Sequence, residues 1–369
     1  MSKINLLELC LSPSLGGLEL YMMHTSKALC SDFNLISVIQ SGGQLESYFK
    51  SENQSYIGIK HKGKRSFFSA RRLARIIDEN RIDVIHIHWT NDLVTAVLAM
   101  MMSKSKPKLV QSRHMNMTRF KNDFYHRYLY KKMDLVLPVT SAVAQQIIKY
   151  VPESIRPRME VLYIGSSKIE SLSEEIISQY KKNIGVQDEF VVGMVGRIEE
   201  AKGQYLLIEA IEKFKHEGKR IKALFLGHAM EESYLEELKR TVVAKGLSND
   251  IEFLGFSKNP HRFMQACDLM VLATQCETFG LVLIEAMQVG TAVIASNQCG
   301  PLEIIEDKKS GLLFEVGNSA DMYEKIMYMY ENEEIRLQIA SEGKKRAELL
   351  FSNEKQFSKL SELLKSLVA

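Results

Sequence analysis

Short apolar runs and amphipathic stretches take turns along this chain. KINLLELCL (3–11) reads as a buried strand, followed by a loop with Gly16 and Gly17 and a helix through Leu29. NLISVIQ (34–40) is strand-like, and SFFSARRLARIIDEN (66–80) carries apolar residues at 68, 73, 76 and 77, a helical spacing. A strand at IDVIHIHW (82–89), a helix at 91–102 and strands at 108–114 and 134–140 continue the alternation. The second half repeats it, with strands at 189–197, 221–228, 251–256, 268–274 and 291–297. Helices are predicted between them at 203–217, 231–246, 260–267 and 280–288. Such alternation predicts α/β architecture: parallel sheets with helices on both faces.

The pattern breaks once. Residues 166–188 are polar and carry no strand, so they read as a linker containing a helix. It separates a first domain, 1–165, from a second, 189–350, and two further helices are predicted at 333–350 and 353–368, the latter with Ser352 as N-cap. A length of 369 residues suits two domains. Two doubly wound domains facing each other would place a ligand cleft between the carboxyl ends of their sheets.

Composition narrows the class. Hydrophobic residues at 46% and charged residues at 25% exclude a disordered or fibrous chain. The longest nearly apolar run, 93–102, falls short of the ~18 residues of a membrane-spanning helix, and no leader peptide is expected. Five scattered cysteines, an odd number, indicate no disulfide framework and read as inert thiols in a reducing cytoplasm. The net charge of +3 conceals an asymmetry: +10 over residues 1–160 and −7 over the rest. A basic half suits an anionic lipid, a nucleic acid or a phosphorylated substrate.

The chemistry is first narrowed by absence. The first loop, SPSLGGLE, lacks the G-x-G-x-x-G spacing of a nicotinamide site, and no phosphate-binding G-x-x-x-x-G-K-[ST] occurs. No C-x-x-C, H-E-x-x-H or Asp-x-Asp announces a metal, so none is expected. The densest signal is CETFGLVLIEAMQVGTAVIASNQCGPLEII (276–305), where Glu277 and Glu285 flank a glycine turn that opens a helix. Exposed amides at such a turn suit anionic or hydroxyl oxygens, and nearby carboxylates accept from vicinal sugar hydroxyls. In VVGMVGRIEEAKGQ (191–204), Arg197 at a strand end and Lys202 at a helix start can converge on a diphosphate.

These strings together resemble the retaining glycosyltransferases of the GT4 family, whose acidic signature reads roughly E-G-F-G-L-x-x-x-E-A-M-A-x-G-x-P-V-I-A-S. This chain keeps Glu277, Phe279, Gly280, Leu281, Glu285, Ala286, Met287 and Gly290, and departs with Thr278, Gln288 and Thr291. The family's G-R and K-G elements fall on Arg197 and Lys202, and its first-loop glycines on Gly16 and Gly17, with Glu19 beyond. His86 and His88 match its His-x-His strand end, and His114 its cleft histidine.

The resemblance implies the GT-B fold: two facing Rossmann-like domains, a deep cleft, and a last helix, 353–369, crossing back to the first domain. It implies transfer with retention, without metal or cofactor beyond a nucleotide-sugar substrate, UDP- or GDP-linked. Glu285 would take the ribose hydroxyls, and Arg197 and Lys202 the diphosphate. Glu277 and the amides of Phe279, Gly280 and Leu281 would orient the hexose. Gly16 and Gly17 would let the main chain approach the donor, and His114 would sit near the sugar's exocyclic oxygen. The backbone near His228 and Phe256 would border the base.

The acceptor is read from the basic first domain. HKGKRSFFSARRLAR (61–75) and the aromatic-threaded cluster from Lys104 to Lys132 suit a phosphorylated lipid head group or an anionic membrane surface. A nucleic-acid binder shows the same mix, but the donor motifs argue against it. The expectation is a cytoplasmic enzyme, peripheral at the plasma membrane, acting on a lipid-linked saccharide in surface-polysaccharide or lipopolysaccharide synthesis. A soluble-acceptor transferase, a sugar-nucleotide epimerase or hydrolase, and an inactive binding protein are the alternatives.

Overall fold

A computed structural model describes residues 3–61, 67–186 and 188–368. The basic stretch 62–66, with Lys64 and Arg65, lies outside the described residues. The chain divides into two compact units, residues 1–165 with 354–369, and residues 166–353.

The first unit is built on strands β1 (Asn5–Cys10), β2 (Asn34–Gln40), β3 (Ile57–Ile59), β4 (Val84–Ile87), β5 (Lys108–Arg113), β6 (Leu135–Pro138) and β7 (Arg158–Met159). Its helices are α1 (Gly17–Leu29), α2 (Gln44–Ser51), α3 (Phe67–Glu79), α4 (Asp92–Met102), α5 (Phe124–Tyr130) and α6 (Ser141–Tyr150). The strands form one sheet in the order β3-β2-β1-β4-β5-β6-β7, every neighbouring pair parallel.

The second unit opens with α7 (Glu174–Asn183) and continues β8 (Phe190–Val195), α8 (Gln204–His216), β9 (Ile221–Leu226), α9 (Glu232–Ala244), β10 (Ile251–Gly255) and α10 (Pro260–Ala266). It ends with β11 (Leu269–Leu272), α11 (Leu281–Gln288), β12 (Ala292–Ser296), α12 (Pro301–Ile304), β13 (Leu312–Phe314), α13 (Ser319–Glu331) and α14 (Glu333–Phe351). Its sheet, also parallel, runs β10-β9-β8-β11-β12-β13. The last helix, α15 (Asn353–Ser366), belongs almost wholly to the first unit.

The apolar runs become strands because both sheet faces are covered. In the first sheet Leu7, Leu9, Ile85 and Ile87 pack on one side against α3, α4 and α6. Leu6, Val84, Val110 and Leu135 pack on the other against Tyr21 and the α15 residues Phe357, Leu360 and Leu364. Polar bonds fix α15 as well: Lys359 Nζ donates to the Val161 carbonyl at 2.8 Å and Lys365 Nζ to Asp32 at 2.7 Å. Caps set helix starts, the Thr140 hydroxyl accepting from Val143 N and Asn318 Oδ1 from Ala320 N and Asp321 N.

One predicted core residue is displaced. On α3, Leu73, Ile76 and Ile77 are buried, whereas Phe68 is 82% exposed. The buried stripe runs through Ser69, Ala70, Leu73, Ala74 and Ile77. Phe68, five residues before Leu73, falls off it at 3.6 residues per turn. In both sheets the strand order reverses beside the first strand of the unit, between β1 and β4 and between β8 and β11. Ligands bind parallel sheets beyond the carboxyl ends of the strands at such reversals.

Candidate active site

In the second unit, the loops leaving β8 and β11 carry the residues singled out in the sequence. Gly203 is left-handed at φ +71°, and a Cβ there would lie 2.3 Å from the Ala273 carbonyl oxygen, so glycine lets the Lys202 turn press against the end of β11. Thr274 Oγ1 donates to the Ala201 carbonyl at 3.2 Å and Gln275 N to the same oxygen at 3.0 Å. This seam brings Lys202 Nζ to 2.6 Å from Glu277 Oε2. The two residues expected to hold different parts of a donor thus hold each other.

Arg197 lies on the same loop but turns elsewhere, its guanidinium pairing with Glu199 at 2.9 Å and half exposed. Buried Gln204 fixes this turn by donating to the Arg197 carbonyl at 2.9 Å. Phe279 is buried, its ring edge-on to Phe351, so it can offer a ligand only main chain. Gly280, left-handed at φ +107°, is the N-cap of α11, which begins four residues after Glu277 and has no side-chain cap. Glu285 sits farther along α11, and burial alone pushes its carboxyl up to about 7. His228 and Phe256 meet edge-to-face at 6.1 Å beyond β9 and β10, with Phe256 largely exposed.

In the first unit, Gly16 caps α1 and Gly17 is its first residue. A Cβ on Gly17 would meet no atom within 4 Å, so the fold itself does not demand glycine there. His114 follows β5. Both its ring nitrogens are shielded and have no hydrogen-bond partner among the described residues. Burial, with the neighbouring His88, holds its pKa well below the usual range, so the ring is neutral. It stacks on His88 at 6.0 Å and receives the edge of Tyr21 at 5.0 Å.

Two residues behind His114 escaped the sequence reading. Glu8, a carboxylate in the middle of β1, is fully buried and lies opposite His86 in the parallel register. His86 Nδ1 meets Glu8 Oε1 at 3.1 Å, His88 Nε2 meets Oε2 at 2.5 Å, and the Ser112 hydroxyl closes on His86 Nε2 at 2.9 Å. Burial opposes the Glu8 charge, but the two imidazoles outweigh it and hold the carboxyl at about 2. Burial lowers His88 to about 4, keeping it neutral. The three side chains offer donor atoms within 4.8 Å, a spacing a divalent ion could bridge. The hydrogen bonds engage the carboxylate and both nitrogens of the His86 ring, while buried His88 Nδ1 has no partner among the described residues. Arg113 is the second: its guanidinium donates to the Met115 and Asn116 carbonyls and to Thr90 Oγ1, clamping the loop that carries His114. A lone Glu in an otherwise apolar strand, with His-x-His on another, was the available signal for Glu8.

Lys202, Glu277 and the start of α11 gather at the switch point of one of two doubly wound parallel sheets, the architecture of the GT-B glycosyltransferases. Residues 176–346 match the family described as Glycosyl transferases group 1, and residues 8–141 the family Glycosyl transferase 4-like. The chain belongs to the group 1 glycosyltransferases. It is 29% identical over 234 residues to the N-acetylgalactosamine-N,N'-diacetylbacillosaminyl-diphospho-undecaprenol 4-alpha-N-acetylgalactosaminyltransferase of Campylobacter jejuni, a match spanning 63% of this chain and 60% of that one. It is 23% identical to the N-acetyl-alpha-D-glucosaminyl L-malate synthase of Bacillus anthracis over 93% of this chain and 92% of that one. In structure it resembles Anabaena HepE in complex with UDP (TM-score 0.86, 24% identity, 99% of this chain and 100% of that one). It also resembles a Rickettsia africae glycosyltransferase (TM-score 0.90, 21% identity, 100% of this chain and 99% of that one).

Proposed function

We propose that this glycosyltransferase moves a hexose-type sugar, with retention, from a UDP- or GDP-sugar to a lipid-linked saccharide during surface-polysaccharide or lipopolysaccharide synthesis. The carrying observation is the Lys202–Glu277 pair at the start of α11, with the raised carboxyl of Glu285 on the same helix. A diphosphate would draw Lys202 from Glu277, freeing that carboxylate for sugar hydroxyls. Glu285 would accept from the ribose hydroxyls, whose hydrogen bonds would favour the ionised carboxylate that burial disfavours. Arg197 and Lys202 would stabilise the charge that develops on the leaving diphosphate, so the reading requires no metal. Neutral His114 would exchange hydrogen bonds with the sugar rather than add charge. The departing diphosphate would take the acceptor's proton on the same face.

The lipid-linked acceptor is supported by the Campylobacter relative, whose name specifies a diphospho-undecaprenol substrate. It is also supported by exposed aromatic side chains of the first unit. Phe68, Phe120 and Phe124 are 82%, 64% and 86% exposed, and the Tyr128 hydroxyl meets the Met101 sulfur. Among the described residues no helix is long and apolar enough to cross a membrane. The reading is a peripheral stance at the cytoplasmic face of the plasma membrane. The Bacillus anthracis relative, a malate glycoside synthase by name and matched nearly end to end, favours the second reading, a small soluble acceptor.

A thermal-shift screen against UDP-, GDP-, ADP- and CMP-sugars, followed by transfer assays on polyprenyl-linked and soluble acceptors, tests the proposal. Full-rate release of nucleotide without any acceptor would instead identify a hydrolase or epimerase.

A further inference from the structure

The five cysteines are not all isolated. Cys10 and Cys267 are buried, and Cys30 is exposed on the first unit. Cys276 and Cys299, 23 residues apart, bring their sulfurs to 2.9 Å without being joined. Cys276 is exposed and Cys299 partly so, which leaves both within reach of a small reagent.

The surroundings hold these two turns together. Gly300 N donates to the Glu277 carbonyl at 2.9 Å, one residue beyond each cysteine. A Cβ on Gly300 would lie 2.1 Å from the Phe279 carbonyl oxygen, so only glycine allows the turns to lie flush. Cys299 itself is left-handed at φ +58°, a conformation a non-glycine residue rarely adopts. That geometry aims its thiol at Cys276. Strain kept at a position of this kind points to a use for the side chain.

We propose that Cys276 and Cys299 are an oxidation site, whose intramolecular disulfide fastens the Glu277 turn to the Cys299–Gly300 turn. The oxidant is a low-molecular-weight disulfide of the glutathione class. The Cys276 thiolate attacks one of its sulfurs, forming a mixed disulfide and releasing one thiol. The Cys299 thiolate then attacks the Cys276 sulfur and expels the second thiol. Two protein thiols become one disulfide, and two electrons and two protons pass to the reagent, which leaves as two thiols. Burial and the neighbouring thiol push Cys299 up to about 12, which leaves exposed Cys276 to attack first, and the 2.9 Å separation places Cys299 to resolve the mixed disulfide. Closing from 2.9 Å to the ~2.05 Å of a disulfide needs less than a bond length of movement. Because the fastened turn carries Glu277, the pair would place donor use under thiol–disulfide control. That consequence rests on the donor role proposed above, whereas the oxidation site does not.

The test uses the whole protein in glutathione redox buffers, followed by non-reducing peptide mass spectrometry and hydrogen exchange. The expected result is a Cys276–Cys299 cross-linked peptide, two hydrogens lighter than its reduced parts and reversed by dithiothreitol. Cys30 should stop at a glutathione adduct. Amides of residues 276–280 should exchange at least tenfold more slowly when oxidised. Cys299→Ser should leave Cys276 as the glutathione adduct, with no slowing. A wild-type protein that carries separate adducts at both positions, or cross-links between two chains, would overturn the proposal, as would unchanged exchange. If the cross-link forms and slows exchange while turnover of nucleotide sugars is unaffected, the donor role of Glu277 falls and the oxidation site stands.

Discussion

Lys202 donates to Glu277 across 2.6 Å, with both side chains mostly shielded from water. A cation and a carboxylate that are each proposed to meet a donor are therefore engaged with one another. Glu277→Gln should weaken that competition, tightening UDP binding by roughly 3–10-fold, about 1 kcal/mol, while lowering turnover. Calorimetry and steady-state kinetics separate the two effects, and weaker UDP binding in this variant would contradict the arrangement.

Arg197 and Lys202 are expected to serve one developing charge. Alanine at either position should cut turnover by roughly 10². The double variant should lose less than the product of the single losses, because the two effects share a target. Strict multiplicativity in single-turnover assays would place them at separate tasks.

Under the proposed ribose contact, Glu285 links stability to binding. Folding raises its carboxyl from 4.5 to about 7, so between those values the folded protein keeps a proton the unfolded chain has released. Stability from this group therefore falls as pH rises from 4.5 to 7 and stays low above, by up to about 3 kcal/mol. Glu285→Gln should be the more stable protein at pH 8 in urea titrations. Ribose hydroxyls prefer the ionised carboxylate, so UDP affinity of the unmodified protein should climb as pH passes through 7. In the variant it should be flat and about ten- to a hundredfold weaker, the loss of a charge-assisted hydrogen bond of roughly 1.5–3 kcal/mol.

Gly17 has open space where a side chain would be. Gly17→Ala should leave the melting temperature unchanged or raise it, since alanine favours a helix over glycine by about 1 kcal/mol. If the main chain of α1 approaches substrate, the same change should depress turnover. A variant with wild-type kinetics would remove this turn from the site.

The exposed aromatic and basic side chains of the first unit predict salt-sensitive membrane binding. Arg71 and Arg72 share α3 with exposed Phe67 and Phe68. Each basic residue at an anionic surface contributes about 1 kcal/mol, and the Debye length falls from ~10 Å at 0.1 M salt to ~3 Å at 1 M. The protein should co-sediment with anionic vesicles at low salt and leave them at high salt. Phe68→Ser with Phe124→Ser, or charge reversal at Arg71 and Arg72, should weaken this without altering UDP affinity. Indifference to anionic vesicles would move the soluble acceptor ahead.

The long elements were legible because both sheets are buried on two faces, which writes strands as continuous apolar runs such as NLISVIQ, found at β2 residue for residue. Strands β3, β7 and β13, of two or three residues at or near the sheet edges, leave too short a run to read. Helices α2, α6 and α13 also passed unnoticed. The sequence shows Asn318 but not that its side chain caps α13. The candidate site residues were legible as types and spacings. Their pairings were not, because Lys202 and Glu277 meet only where Gly203 lets one loop lie on the end of β11. Cys276 and Cys299 looked scattered for the same reason: nearness across two turns has no signature along the chain.

Placing α15 in the first unit has a consequence for how the protein is made. A ribosome releases residues 1–165 and then all of the second unit before α15 emerges, and until then Leu6, Val84, Val110 and Leu135 have no Phe357, Leu360 or Leu364 to cover them. Each of those three side chains contributes roughly 1.5–3 kcal/mol on burial. The nascent first unit therefore waits with an uncovered sheet face while the second unit can fold, so the domain synthesised first is the one completed last. Ribosome stalling at any point between residue 165 and the emergence of α15 would leave that apolar surface open to chaperones.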